Sequence, residues 1–186
     1  MVMTMQRITV PASFVETGTG GDFKWPATSY GGTIRAVRVS SPQMNGNEPW
    51  KGFETFEAEQ ISLEISDLEV FESTQDQTIE EIQSYIGERP YFIQFTSRDG
   101  ENTFEDVDPA ERNAPNWQLQ AGLRTFVRLA LALGAVETNE DGSLSPDMSL
   151  LQDLQEDGGE IVGTRVGFSV IHRKGYANLA TIFSVS

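Results

Sequence analysis

Hydrophobic and polar positions alternate, drift into helical spacing and alternate again along this chain. From Tyr30 to Ser40, Thr33, Arg35, Val37 and Val39 fall on one face and Ile34, Ala36 and Arg38 on the other, which predicts a strand ending at Pro42. Glu59 to Phe71 reads as a second strand: Ile61, Leu63 and Ile65 share a face, while Leu68 and Val70 have slipped phase by one, as a bulge near Ser66-Asp67 would cause. Tyr91 to Arg98 places Tyr91, Ile93 and Phe95 opposite Phe92, Gln94 and Thr96 and closes at the turn Asp99-Gly100, a third strand. Ile161 to Lys174 alternates Val162, Val166, Phe168 and Val170 against Arg165, Gly167, Ser169, Ile171 and Arg173. Gly175 then turns the chain into a return strand, Tyr176 to Val185, with Leu179, Phe183 and Val185 on one face.

Helical spacing dominates between the third and fourth strands. Leu119, Leu123, Phe126, Ala130 and Leu133 form a core stripe within Pro115 to Leu133, with Gly134 as the stop, and Arg124 and Arg128 lie off that stripe, where water is expected. Asp76 to Gly87 predicts a shorter helix, and Leu150, Leu151 and Leu154 a helical or turn element. Val10-Pro11 and Gly18 to Gly21 read as irregular. Residues 1–186 are expected to form a single domain, with acidic loop insertions at about 41–58, 99–114 and 137–149. The predicted fold class is mainly β with α: a five-stranded OB-like barrel with a long helix between its third and fourth strands. In that architecture strand faces and loops bind oligonucleotides, although one fold hosts many functions.

Charge narrows the choice. The chain carries a net charge of -15, and 26 of its 28 carboxylates lie between Glu48 and Glu160. Ile161 to Ser186 and Phe23 to Asn47 contain no acid at all. Segregation of this kind suggests that the two basic segments form one surface. With no cysteine and one histidine, disulfides, thiol catalysis and nitrogen or sulfur metal centres are not expected, and the setting fits a reducing cytoplasm. The carboxylate pairs Glu80-Glu81, Asp106 with Asp108, and Glu156-Asp157 follow from composition. No phosphate-binding glycine loop, GxSxG elbow or HExxH motif is present, so neither catalysis nor a cofactor is expected. No apolar run is long enough to span a membrane, and Met1 to Arg7 leads into alternation and a proline rather than a signal peptide.

The residues expected to bind a nucleic-acid strand are the cations Lys24, Arg35, Arg38, Arg165, Arg173 and Lys174, with the aromatics Trp25, Tyr30, Phe92 and Tyr176 as stacking platforms. Arg165 and Arg173 are separated on their face by the small residues Gly167 and Ser169, which would leave a shallow groove. A core position is the competing reading for each aromatic, and a solvated strand edge for each arginine. His172, in phase with Val166, Phe168 and Val170, reads as the rim of the apolar face.

The segment Trp25-Pro26-Ala27-Thr28-Ser29-Tyr30-Gly31 resembles the first-strand lead-in of phage-encoded OB-fold single-stranded-DNA-binding proteins. The helix ending Leu131 to Gly134, the leucine-rich turn Leu150 to Leu154, and the closing hairpin Gly163 to Phe168 through Lys174 to Leu179 are similar to theirs. The resemblance implies sequence-tolerant, cooperative binding of single-stranded DNA in phage replication or recombination, without a cofactor, and a homo-oligomer. Many such proteins recruit replication or recombination proteins through an acidic C-terminal tail. Here the last residues read as an apolar strand, so Glu101 to Glu111 or Gln152 to Glu160 is expected to take that role. The alternative expectation is a phage virion structural or assembly protein that uses the β-barrel as an oligomerisation module, its basic segments meeting the acidic middle of a neighbour.

Overall fold

A computed structural model describes residues 6–16, 25–40, 44–45, 48–49, 58–87, 89–111, 116–173 and 176–185. In chain order the elements are α1 (Ala12–Glu16), β1 (Ser29–Ser40), β2 (Met44–Asn45), β3 (Glu48–Pro49), β4 (Gln60–Val70), α2 (Ile79–Gln83), β5 (Arg89–Gln94), α3 (Trp117–Ala132), β6 (Val136–Thr138), β7 (Leu144–Pro146), α4 (Met148–Gln155), β8 (Arg165–Arg173) and β9 (Tyr176–Ser184). A short 3-10 turn, Phe104–Asp106, precedes α3.

The fold is mainly β, organised on one five-stranded antiparallel sheet in the order β5-β4-β1-β8-β9. The long helix α3 packs on both edge strands, β5 and β9. Laid flat, five strands at about 4.8 Å spacing would hold those edges about 19 Å apart, nearly twice the diameter of a helix. The sheet therefore curls around α3. Ile34, Leu63, Ile65, Tyr91, Val166, Phe168 and Ile182, drawn from all five strands, face Leu129 of α3 in one apolar interior. Gly122 makes the closest approach possible, since a Cβ there would overlap the Gln94 carbonyl of β5.

The α3 stripe is buried as its spacing predicts, at Leu119, Leu123, Phe126 and Ala130. The helix ends in paired terminal hydrogen bonds, Ala135 N–H to the Ala130 carbonyl (2.8 Å) and Gly134 N–H to the Leu131 carbonyl (3.1 Å). Gly134 has φ +71°, the left-handed turn that makes glycine the natural stop. Its arginines differ from expectation. Arg128 is 2 % exposed and Arg124 is half-buried; their Nε atoms donate to the Val15 (2.8 Å) and Phe14 (2.7 Å) carbonyls at the end of α1. The Arg124 guanidinium also lies 4.5 Å from the Phe14 ring centroid. They anchor the N-terminal segment instead of facing water.

Strand irregularities decide which side chains face out. Between Ser66 and Glu69, β4 carries one residue more than β1, and Asp67 takes φ +51°, so the slip between Ile65 and Leu68 is a bulge where the sequence places it. A second bulge was not expected. β1 carries an extra residue at Arg35 between the pairs Ile34↔Ile65 and Ala36↔Glu64, so Val37 joins Ile34 in the core and Arg38 turns outward with Thr33. In β9 the register shifts between Thr181 and Leu179, which sends Ile182 inward and Phe183 to the outer face.

The shorter elements form as their local signals direct. Thr78 and Glu81 cap α2 reciprocally, and Ile82 is its fully buried anchor. Part of the predicted 137–149 insertion is the β6-β7 hairpin, extended by the Val10↔Leu144 bridge from the N-terminal segment. Leu150, Leu151 and Leu154 are buried on α4. Among the described residues, no helix is long and apolar enough to cross a membrane.

Candidate nucleic-acid interface

The outer face of the sheet, away from α3, is set by strand register, because side chains directly opposite one another share a face. One cross-strand row runs Arg38 (β1), Ser62 (β4), Phe92 (β5). Ser62 lies between Ile61 and Leu63, both 0 % exposed and inward, so its row points outward. Phe92 is 51 % exposed, and Arg38 is exposed beside it across Ser62. Flanking rows add the polar side chains of Gln60, Gln94 and Glu64.

Arg38 pairs with Glu64, the outward residue two positions along β4. Arg165 of β8 lies opposite Thr33 of β1 and reaches across it to β4. Its Nη2 is 2.8 Å from Glu69 Oε2, and its Nη1 donates to Thr33 Oγ1 and to the Asp67 carbonyl, each at 3.3 Å. Arg38 and Arg165 thus share the outer face, and each is matched with a β4 carboxylate. Arg35, the bulged residue, is exposed.

The shallow groove expected over Gly167 is filled. Gly31 and Gly167 are neighbours on this face, and the rings of Phe71 and Phe183 lie over them, 6.5 Å apart between centroids. A Cβ at either glycine would be driven into the ring above it. The small residues make room for two aromatic rings of the chain itself, not for a ligand.

Two predicted platforms belong elsewhere. Tyr30 is 0 % exposed: its ring stacks on Phe168 (5.5 Å, 20°) and its hydroxyl donates to the Pro26 carbonyl (2.7 Å), so it is a core residue. Trp25 is half-buried against the same cluster, 4.8 Å from the Tyr30 ring and 6.0 Å from Phe168. His172 is exposed at the rim, with Nε2 2.7 Å from the Trp25 carbonyl, which it holds in place. Lys24 and Lys174 lie outside the described residues. Arg173 and Tyr176 pair with each other at the end of the β8-β9 hairpin, but their side chains are likewise outside the description.

Among the described residues no group of three or more histidine, aspartate or glutamate side chains is placed to hold a metal ion. The lowered carboxylate pKa values belong to turns: Asp99 is held down first by the Ser97 hydroxyl, then by the Glu101 N–H, and Asp141 by the hydroxyl and N–H of Ser143. Compared with known proteins, the chain matches no family model, no curated protein and no solved structure.

Proposed function

We propose that this protein is an OB-like module that binds single-stranded DNA without catalysis, using the outer face of β1, β4 and β5. Counted among the five strands of the sheet in chain order, the spatial arrangement is third, second, first, fourth, fifth, and the long helix falls between the third and fourth. That connectivity, with the helix bridging the two edges, supports the OB-like reading. The face of the second and third strands is where such barrels take oligonucleotides.

The observation that carries the reading is the row Arg38-Ser62-Phe92, which sets an exposed aromatic ring beside a guanidinium on a polar floor. A base stacked on Phe92 would leave its phosphate within reach of Arg38. Stacking of this kind tolerates any base, which fits sequence-independent binding. Arg165 extends the cationic side of the track along β8, and Lys24, Arg35, Arg173, Lys174 and Tyr176 remain candidates for its flanks. The absence of cysteine fits work in a reducing cytoplasm, and the acidic loops offer surfaces for replication or recombination partners.

Fluorescence titration with oligo-dT tests this. Wild-type protein should bind at low salt, with a slope of about -0.7 in log K against log salt for each phosphate neutralised. Phe92→Ala should weaken binding by about 1–3 kcal/mol. Arg38→Ala should weaken binding and reduce the slope by at most about one phosphate's worth. No binding at low salt by the folded protein sinks the reading, and discrete rings by light scattering with no response to oligo-dT would favour a virion assembly role.

A further inference from the structure

We infer that Glu64 and Glu69 act as built-in competitors for phosphate, occupying the arginines of the binding face until a strand displaces them. The inference rests on the single-strand reading above and assigns a role to residues that reading leaves unused.

The geometry is specific. Both carboxylates come from β4 and stand on the outer face, Glu64 at Arg38 and Glu69 at Arg165. Arg165 does not turn toward solvent from β8; it crosses β1 past Thr33 to reach Glu69, and the Asp67 carbonyl at the bulge receives its second nitrogen. Side-chain exposures are 60 % and 36 % for the first pair, and 32 % and 59 % for the second, so water and a ligand reach both. Pairs this exposed are weak enough to open. They remain strong enough to matter when an incoming phosphate must replace a carboxylate of the same sign at the same guanidinium.

Two consequences distinguish displacement from simple repulsion. Removing a competing carboxylate should tighten binding. It should also steepen the salt dependence, because in the wild type each freed carboxylate takes up a cation and offsets part of the counterion release from DNA. A carboxylate that merely repels DNA from a distance would change affinity without occupying an arginine.

The test compares Glu64→Gln, Glu69→Gln and the double variant with Glu140→Gln and Glu156→Gln, which remove the same charge from exposed positions outside the sheet. All are titrated with oligo-dT over a salt series, and circular dichroism verifies folding. Each paired variant should bind about two- to fivefold tighter, the double variant by the product, and each with a steeper slope. The controls should move less, with the slope unchanged. Equal tightening in the controls, or none in the folded paired variants while wild type binds, overturns the competition and leaves the single-strand reading standing. Failure of wild type and every variant to bind oligo-dT overturns both.

Discussion

Asp99 and Asp141 sit two residues from a serine in tight turns, and in each case the serine hydroxyl sets the carboxylate's behaviour. Ser97 Oγ is 2.5 Å from Asp99 Oδ1, which also accepts the Glu101 N–H at 3.1 Å; Ser143 Oγ makes the same 2.5 Å contact with Asp141. Donors of this kind favour the charged form and lower the pKa, chiefly through the serine hydroxyl. On acidification the unfolded chain protonates first, near the ordinary value of about 3.9. The support these turns give is therefore whole above that value and is lost only as pH falls through the lower folded one. An NMR titration of the Asp99 side chain should give a midpoint below the ordinary value, and Ser97→Ala should move it upward. An unshifted midpoint in the wild type would remove this account.

Among the elements, α3 was the most legible in the sequence because sixteen helical residues give several turns in which the apolar spacing repeats. Its contact with β5 was not legible, since the close approach at Gly122 depends on where a distant strand ends. Gly122→Ala should destabilise the protein by about 1–3 kcal/mol, or more if β5 cannot shift, because backbone and not a flexible side chain meets the new methyl. Urea unfolding measures this directly, and a neutral result would mean that the helix and strand are further apart than described. The destination of Arg124 and Arg128 was hidden for a related reason: α1 has five residues, too few to show a period, so nothing in the sequence announced acceptors for those guanidinium groups. Burial lowers the pKa of Arg128, with Tyr91 opposing, and lowers that of Arg124, with Arg128 adding to the effect. The three-residue strands β6 and β7 were equally silent. On the candidate face, Phe92 was readable from alternation alone. The outward turn of Arg38 was not, because the bulge at Arg35 breaks the alternation, and Gly167 read as open space because the register shift in β9 that brings Phe183 over it left no signal in the sequence.

For the whole molecule, a net charge of -15 on 186 residues is a standing source of self-repulsion that favours expansion. The ion pairs Arg7–Glu137, Arg38–Glu64 and Arg165–Glu69 join exposed groups and are small in value beside that repulsion. Salt should therefore stabilise the fold, because screening shortens repulsion to about 8 Å at physiological ionic strength while weakening only exposed pairs of small value. Thermal unfolding monitored by circular dichroism should show a midpoint that climbs from low to moderate sodium chloride. A falling midpoint would mean that the ion pairs outweigh the general repulsion. The same salt should loosen any bound single strand, so stability and binding are expected to respond in opposite directions.

Asp67 gives β4 an unusual relation to insertion and deletion. Elsewhere in the strand, losing a residue would turn everything beyond it over to the opposite face. Losing Asp67 would instead remove the bulge and leave the faces as they are: Ile65, Leu68 and Val70 would alternate without a break and stay inward, with Ser66 and Glu69 outward, at the cost of the Asp67 carbonyl that accepts from Arg165. The extra residue works as a frame marker, keeping two hydrophobic phrases of different phase legible as one strand. Among related chains, a one-residue deletion in β4 should be tolerated at this point and not between Gln60 and Ser66, and where the extra residue is kept it should be one that tolerates a left-handed backbone.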